Sequence, residues 1–296
     1  MVAKFIKRIG IIFVVVVAIL FVFRCLYIVQ LGKIRIDKKT HILVCGDSHT
    51  QCALNDSIMK HSLNVSNSGE VYINTYNKIK ILKNDNPQID TIILAYGFHS
   101  LSGGTDNFLT KEIWTRKGFP TYVPILDNSS LLDVLSQNTV GVIKASPNIF
   151  QEMLNSMLDS KYSFIGYYNN TGHSLLNEHG MEITLNRHYY KEKNVEQGFS
   201  PLAEKYLRAI VQYCNDKHVK LILLNTPITK EYYNRIPDKF VKHYYAIANE
   251  LKQNATLIDM HSFKLENKMF GDADHVNEYG ATVFTEKIDS LINNSR

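Results

Sequence analysis

The sequence predicts an α/β domain with a parallel sheet covered on both faces, preceded by an apolar N-terminal helix. Three observations carry this. Short continuous apolar runs, His41-Ile-Leu-Val-Cys45, Thr91-Ile-Ile-Leu-Ala95, Lys220-Leu-Ile-Leu-Leu224 and Ala255-Thr-Leu-Ile-Asp259, read as buried strands. Helix-like stretches separate them, and strands alternating with helices form parallel sheets. The third is Ile9–Phe23, where every residue is apolar or Gly.

Residues 9–29 hold 16 Ile, Leu, Val or Phe. At roughly 0.3–0.6 kcal/mol each they favour membrane insertion by about 5–10 kcal/mol, against about 3 kcal/mol for a central Arg. Arg24 lies off centre and can snorkel. The length suits one span, and no second apolar run of that length follows. A cleaved signal peptide is the alternative, but no small-x-small cleavage site follows the run, and Phe23-Arg24 argue against lipidation at Cys25. Lys4, Lys7 and Arg8 precede the span while Lys33, Arg35, Lys38 and Lys39 follow it, so charge leaves its orientation open. An uncleaved signal anchor ordinarily keeps its N-terminus inside, which places the body in the periplasm or outside the cell. The expected organisation is a cytoplasmic stub and transmembrane anchor over 1–31, a basic linker over 32–40, and one domain over 41–296.

Composition narrows the function. Four Lys or Arg and no acid lie in residues 1–30; beyond them 29 cations face 28 acids, leaving no basic domain to grip nucleic acid. With 15 Gly, 7 Pro and 4 Cys the chain is neither collagen-like, disordered nor a disulfide scaffold. Cys45, Cys52 and Cys214 form no CxxC, so neither a zinc site nor a disulfide framework is indicated.

Within the domain, Asn64-Val-Ser-Asn-Ser-Gly69 reads as a second short strand running into a turn, and 71–85 as a helix ended before Pro87. Residues 101–198 differ in texture, with Gly103-Gly104, Pro120, Pro124, a helical stretch around 130–158 and a polar, Tyr- and Asn-rich stretch over 167–195. They read as a long insertion, because the α/β pattern resumes after them. Ser200-Pro201 opens the next helix, with Ser as N-cap and Pro at the first helical position. Further helices are expected over 230–253 and 276–293.

In such sheets chemistry collects at the carboxyl ends of the strands. Here that rim reads Gly46-Asp47-Ser48, Ser68-Gly69, Gly97-Phe98-His99, Asn225-Thr226 and Asp272-Ala273-Asp274-His275. A serine hydroxyl becomes a nucleophile when an imidazole accepts its proton, a pairing open to Ser48 and His275. Asp272 can orient that imidazole, with Asp274 as competitor. The backbone N–H groups of Ser48 and Gly69, and a side chain near Gly97, can face a developing oxyanion. Asp47, His49 and Asn225 are weaker substrate-binding candidates. The bland reading stands beside each: Gly-Asp-Ser is usually a turn, Asp-x-x-His a surface cap, and His99 a satisfied strand-end histidine. Asp47, His49, Asp272 and His275 can be imagined as metal ligands, but nothing in their spacing demands an ion, and no cofactor is expected.

Gly46-Asp47-Ser48-His49, Gly69, Gly97-Phe98-His99 and Asp272-Ala273-Asp274-His275 resemble the first, second, third and fifth blocks of the SGNH/GDSL hydrolase superfamily. The resemblance spans 41–292 apart from the insertion. It implies a flavodoxin-like three-layer α/β/α fold and ester hydrolysis or acyl transfer. Ser48 is then the nucleophile, His275 the base and Asp272 its partner, with Ser48 and Gly69 giving oxyanion N–H groups. His99 stands where the family has Asn; a neutral imidazole can still donate one N–H. With its membrane tether the chain is similar to members that add or remove acetyl groups on cell-envelope polysaccharides. The implied partners are a carbohydrate or other acyl ester, the membrane through 9–29 and, for transfer, a separate membrane protein delivering the acyl donor. Hydrolysis and transfer use the same residues. A catalytically silent glycan-binding or assembly protein on the same fold is the alternative. Tyr122, Tyr162, Tyr167, Tyr168, Tyr189 and Tyr190 are candidates for stacking on sugar rings.

Overall fold

A computed structural model of the chain describes residues 2–31, 34–159, 166–172, 177–191 and 195–293. Its strands are β1 (Ile42–Cys45), β2 (Ser62–Asn64), β3 (Thr91–Ala95), β4 (Lys220–Asn225) and β5 (Thr256–Asp259). Its helices are α1 (Val2–Leu31), α2 (Ser48–Ala53), α3 (Tyr72–Asn84), α4 (Asn107–Thr110), α5 (Glu112–Tyr122), α6 (Asn128–Asp159), α7 (Glu178–Tyr189), α8 (Pro201–Asp216), α9 (Lys230–Tyr233), α10 (Asp238–Leu251) and α11 (Glu278–Asn293).

The strands form one parallel sheet in the order β2-β1-β3-β4-β5. Successive side chains on a strand point to opposite faces, and two separate cores result. Leu43, Cys45, Ile92, Leu94, Leu221 and Leu223 pack into one, beneath α3, α8 and α10. Ile42, Val44, Ile93, Ile222 and Leu224 pack into the other, beneath α2 and α11. Both faces are therefore covered, which is why these runs are continuously apolar and not alternating. The direction of winding reverses between β1 and β3, and a crevice opens there beyond the strand ends.

Local chemistry explains most boundaries. Ser200 Oγ accepts from the N–H of Ala203 at 2.9 Å and caps α8 as expected. The helix expected over 230–253 is instead two, α9 and α10, separated around Pro237, whose missing N–H cannot continue a helix. β2 ends at Asn64, earlier than the sequence suggested, because the Asn64 side chain donates to the carbonyls of Thr50 and Leu54 and accepts from the N–H of Ser66. The polar stretch 167–195 contains a helix, α7, capped by Asn177 and burying Met181, Thr184, Leu185, His188 and Tyr189.

The two ends of the 101–198 segment meet. The N–H of Gly103 donates to the Gly198 carbonyl and that of Ser200 to the Leu101 carbonyl, each at 2.8 Å. The segment thus leaves and re-enters the domain at one place; its α4, α5 and α7 reach the cleft beyond the strand ends, while α6 packs on α5.

Among the described residues no helix is long and apolar enough to cross a membrane. The span expected over 9–29 includes positions 9, 12, 13, 16, 17 and 20, whose side chains lie outside the described set. The end of α1 is docked on the body. Tyr27 is buried among Tyr122, Ile125 and Met153. Arg24, expected to snorkel, instead donates to the Leu126 carbonyl and, at 3.2 Å, to Asn128 Oδ1. The expected linker is also tied down in part: the N–H of Ile36 donates to Asn86 Oδ1 and Asn86 Nδ2 to the Ile34 carbonyl.

Candidate active site

The site is built from the turn after β1. Gly46 has φ +134°, and a Cβ there would lie 2.3 Å from that of Ala95 on β3, so glycine alone fits. Asp47 caps α2, accepting from the N–H of His49 at 3.0 Å. Ser48 is then the first helical residue, where an N–H has no partner within the helix.

Ser48 Oγ lies 2.7 Å from His275 Nε2. His275 Nδ1 lies 2.9 and 3.0 Å from the two carboxylate oxygens of Asp272. Asp272 Oδ1 also accepts from the N–H groups of Asp274 and His275, so one carboxylate shapes the loop and orients the ring it carries. Three residues named from the sequence, 227 positions apart at the extremes, thus meet in serine–histidine–carboxylate order. Asp274 Oδ1 is 3.1 Å from the same Nδ1 but makes no hydrogen bond, which leaves Asp272 as the orienting group. Burial opposes charge on His275, but the carboxylates of Asp274 and Asp272 outweigh it and raise its proton affinity well above the usual imidazole range.

Gly69 adopts φ +71°, and a Cβ would collide with the Phe108 ring at 2.6 Å. Ser48 and Gly69 both line the cleft above the triad, and among the described residues neither N–H donates to a backbone carbonyl in the surrounding loops. His99 does not join them as a donor. Its Nε2 lies 2.8 Å from Asp47 Oδ2, and a Cβ on Gly97 would stand 3.0 Å from its Nδ1. Burial and the neighbouring His49 lower its pKa, and the hydrogen bond of its Nε2 is committed to the Asp47 carboxylate.

Asp47 and His49 lie beneath the triad and act together. His49 stacks on His99 with centroids 4.1 Å apart, and its nitrogens lie 3.3 Å from Asp47 and 3.4 Å from Asp274. His188 of α7 adds a fourth ring, its Nε2 3.0 Å from Asp274 Oδ2. Burial opposes charge on Asp47, yet His49 and His99 hold its carboxyl well below the usual range. His49, buried between two carboxylates, is raised. Imidazoles and carboxylates therefore alternate in a buried layer. Asp47 reaches the cleft wall but is committed to His99, whereas His49 is buried under it. Asn225 is not at the cleft: its Nδ2 donates to Asp259 Oδ1 at 3.2 Å, behind Gly97.

The cleft, of about 260 Å³, has aromatic walls supplied by the insertion. Phe108 and Trp114 pack with centroids 4.9 Å apart beside Gly69, and Tyr168 stands in the same cleft with an exposed ring. Of the expected sugar-stacking tyrosines, Tyr122 and Tyr189 are core residues and cannot stack on a ligand; Tyr162 lies outside the described residues. Arg187, His188, Phe108 and Trp114 were not singled out by sequence reasoning. Trp114 alone left a signal, as the chain's single Trp.

Two groups, Asp47/His49/His99 and His49/Asp274/His275, bring ligand atoms within 4.8 Å of one another. The His49 and His99 planes are only 22° apart, so their nitrogen lone pairs run side by side and do not converge on one ion. In the second group the atom available on His275 is the Nδ1 already held by Asp272.

Fold and cleft together define a mixed α/β protein with a five-stranded parallel sheet and a serine–histidine–carboxylate cleft. A model of a family of unknown function matches residues 150–296. No curated protein matches the chain. It is similar, at 11% identity and a TM-score of 0.39 over 91% of each chain, to a solved structure from Streptococcus pneumonia provisionally described as a platelet activating factor.

Proposed function

We propose that this chain is a membrane-anchored serine esterase or O-acyltransferase of the SGNH type, acting on acyl, foremost acetyl, esters of a cell-envelope glycan. The observation that carries the reading is the 2.7 Å contact of Ser48 Oγ with an imidazole held by Asp272. The strand order β2-β1-β3-β4-β5 supports the flavodoxin-like form of the fold.

Ser48 Oγ attacks the ester carbonyl while His275 Nε2 accepts its proton. The oxyanion faces the N–H groups of Ser48 and Gly69. Collapse breaks the ester C–O bond, and the departing sugar oxygen takes the proton from His275. The acyl group then passes from Ser48 to water or to another sugar hydroxyl, His275 removing the acceptor's proton and returning it to Ser48 Oγ as the acyl–Oγ bond breaks. Two backbone donors, without a third from His99, form the hole. The exposed Trp114 and Tyr168 rings support a sugar as the alcohol portion.

Exposed Ile11, Val14, Val15, Ile19 and Val22 on α1 support the anchor. A reporter fused after residue 296 tests its orientation: activity only outside the cytoplasm is expected, and cytoplasmic activity would reverse it.

The central test uses the full chain in detergent. Wild type should hydrolyse p-nitrophenyl acetate and label with a fluorophosphonate, and Ser48→Ala should lose labelling and about a thousandfold or more in rate. Equal rates and labelling in the two proteins would leave the silent glycan-binding reading in its place.

A further inference from the structure

We infer that Arg187 binds an anionic group on the substrate, so that the ester entering this cleft is carried by an acidic sugar. The inference rests on the esterase reading above and narrows its substrate class. Arg187 is the sole Lys or Arg among the described residues lining the cleft. Its Nε is buried without a hydrogen-bond partner. Its Nη2 comes no nearer to a carboxylate than 3.7 Å from Asp274 Oδ1, too far for a hydrogen bond.

The acid that faces Arg187 is Asp274, whose Oδ1 forms a long ion pair with it and no hydrogen bond, and the remaining cleft acids are engaged elsewhere. Asp274 accepts from His188 at 3.0 Å and has His275 Nδ1 at 3.1 Å. Asp272 holds His275, Asp47 holds His99, and Glu70 is paired with the buried Lys78. The guanidinium is only partly withdrawn from water, with 36% of the side chain exposed, and an anion in the cleft would supply the partner that its buried Nε lacks. Its planar fork suits paired anionic oxygens, as in a carboxylate or phosphate.

The side chain is also carried on a fixed element. Ser102 Oγ donates to the His188 carbonyl, the N–H of Gln197 donates to the Tyr189 carbonyl at 2.7 Å, and Gly104 packs against the Arg187 carbonyl so closely that a Cβ would stand 2.7 Å away. The cleft therefore combines an ester-reactive hydroxyl, exposed aromatic rings and a cation on a fixed backbone, which is the chemistry that recognises an acyl ester on a hydroxyl of a uronic acid or of a sugar phosphate.

The experiment compares kcat/KM of the full chain on O-acetylated methyl glycosides of glucuronic acid, glucose 6-phosphate and glucose. Wild type should favour at least one anionic substrate over the neutral one by tenfold or more, and which one identifies the anion. Arg187→Gln should collapse that ratio towards one, mainly through KM, and Arg187→Lys should retain part of it. Equal kcat/KM on all three in wild type, or an unchanged ratio in Arg187→Gln, overturns the inference. Ser48-dependent hydrolysis of p-nitrophenyl acetate in the same preparation separates the two claims, since its presence with no anion preference removes the inference and leaves the esterase. Calorimetric binding of glucuronate and glucose 6-phosphate to Ser48→Ala reads the site without turnover. At least tenfold weaker binding of the preferred anion after adding Arg187→Gln is expected, and equal or absent binding of both overturns the inference.

Discussion

Asp274 in the base-bearing loop accepts a hydrogen bond at 3.0 Å from Nε2 of His188, which lies 86 residues earlier, on a helix of the insertion. The same carboxylate stands 3.1 Å from His275 Nδ1. The insertion therefore does more than wall the cleft; it holds the carboxylate that raises the proton affinity of His275.

A pH profile follows. His275 must be neutral to act as base, and its raised pKa places the rising limb of kcat/KM above the ordinary imidazole value of about 6.5. Asp274→Asn removes the larger of the two charges that raise it and should move that limb to lower pH. Asp272→Asn instead removes the orienting acceptor and should lower kcat by about 10⁴. A limb that stays in place in Asp274→Asn would refute this assignment.

Stability carries the opposite signs. A His whose folded pKa is raised stabilises the fold below its unfolded value, and loses that contribution as pH rises through the folded one. Asp47 and Asp274, both lowered, stabilise above the unfolded carboxylate value and lose it as pH falls through the folded one. Urea unfolding across pH should therefore show losses in acid that shrink in Asp274→Asn.

Gly69→Ala should reduce kcat by about a hundredfold with a smaller effect on KM, because the positive φ and the Phe108 ring displace an N–H that faces the oxyanion. Gly118→Ala on α5, where a Cβ meets nothing within 4 Å, serves as the control and should gain about 0.5–1 kcal/mol. Equal kinetics in the two variants would exclude Gly69 from the oxyanion hole.

Glu70, next to Gly69, is buried with Lys78, Thr75 and the Tyr122 hydroxyl. Lys78→Met leaves that carboxylate without its cation and should cost about 3–5 kcal/mol in denaturant unfolding. Adding Glu70→Gln should recover much of it. A loss below about 1 kcal/mol would mean that the pair does not hold this loop.

Chelation tests the other use of the histidines. Dialysis against EDTA should leave the Ser48-dependent rate unchanged. A loss restored by added zinc would assign His49 and its carboxylate neighbours to an ion in place of the proton network.

Much of the architecture was legible because its signals are local. Continuous apolar runs at 42–45, 91–95 and 220–224 can be buried on both faces only in a covered parallel sheet, and Ser200-Pro201 writes a helix start into two adjacent residues. The helix α7 was not legible: its buried face of Met181, Thr184, Leu185, His188 and Tyr189 is half polar, so hydrophobic period fails as a guide. The break near Pro237 was available in the sequence but is easily read through.

By itself the sequence determined which chemical groups stand at strand ends: a serine after Gly46-Asp47, a glycine at 69, and Asp272 and His275 within one turn of each other. Only the tertiary structure decided which of them meet. It sent His99 to Asp47, Asn225 to Asp259 and Tyr189 into the core, and it brought Arg187, His188 and Trp114 to the cleft. The reason is physical. Strand order and the seating of a long insertion are settled by contacts between distant segments, and no spacing along the chain encodes the direction in which a buried imidazole finds its carboxylate.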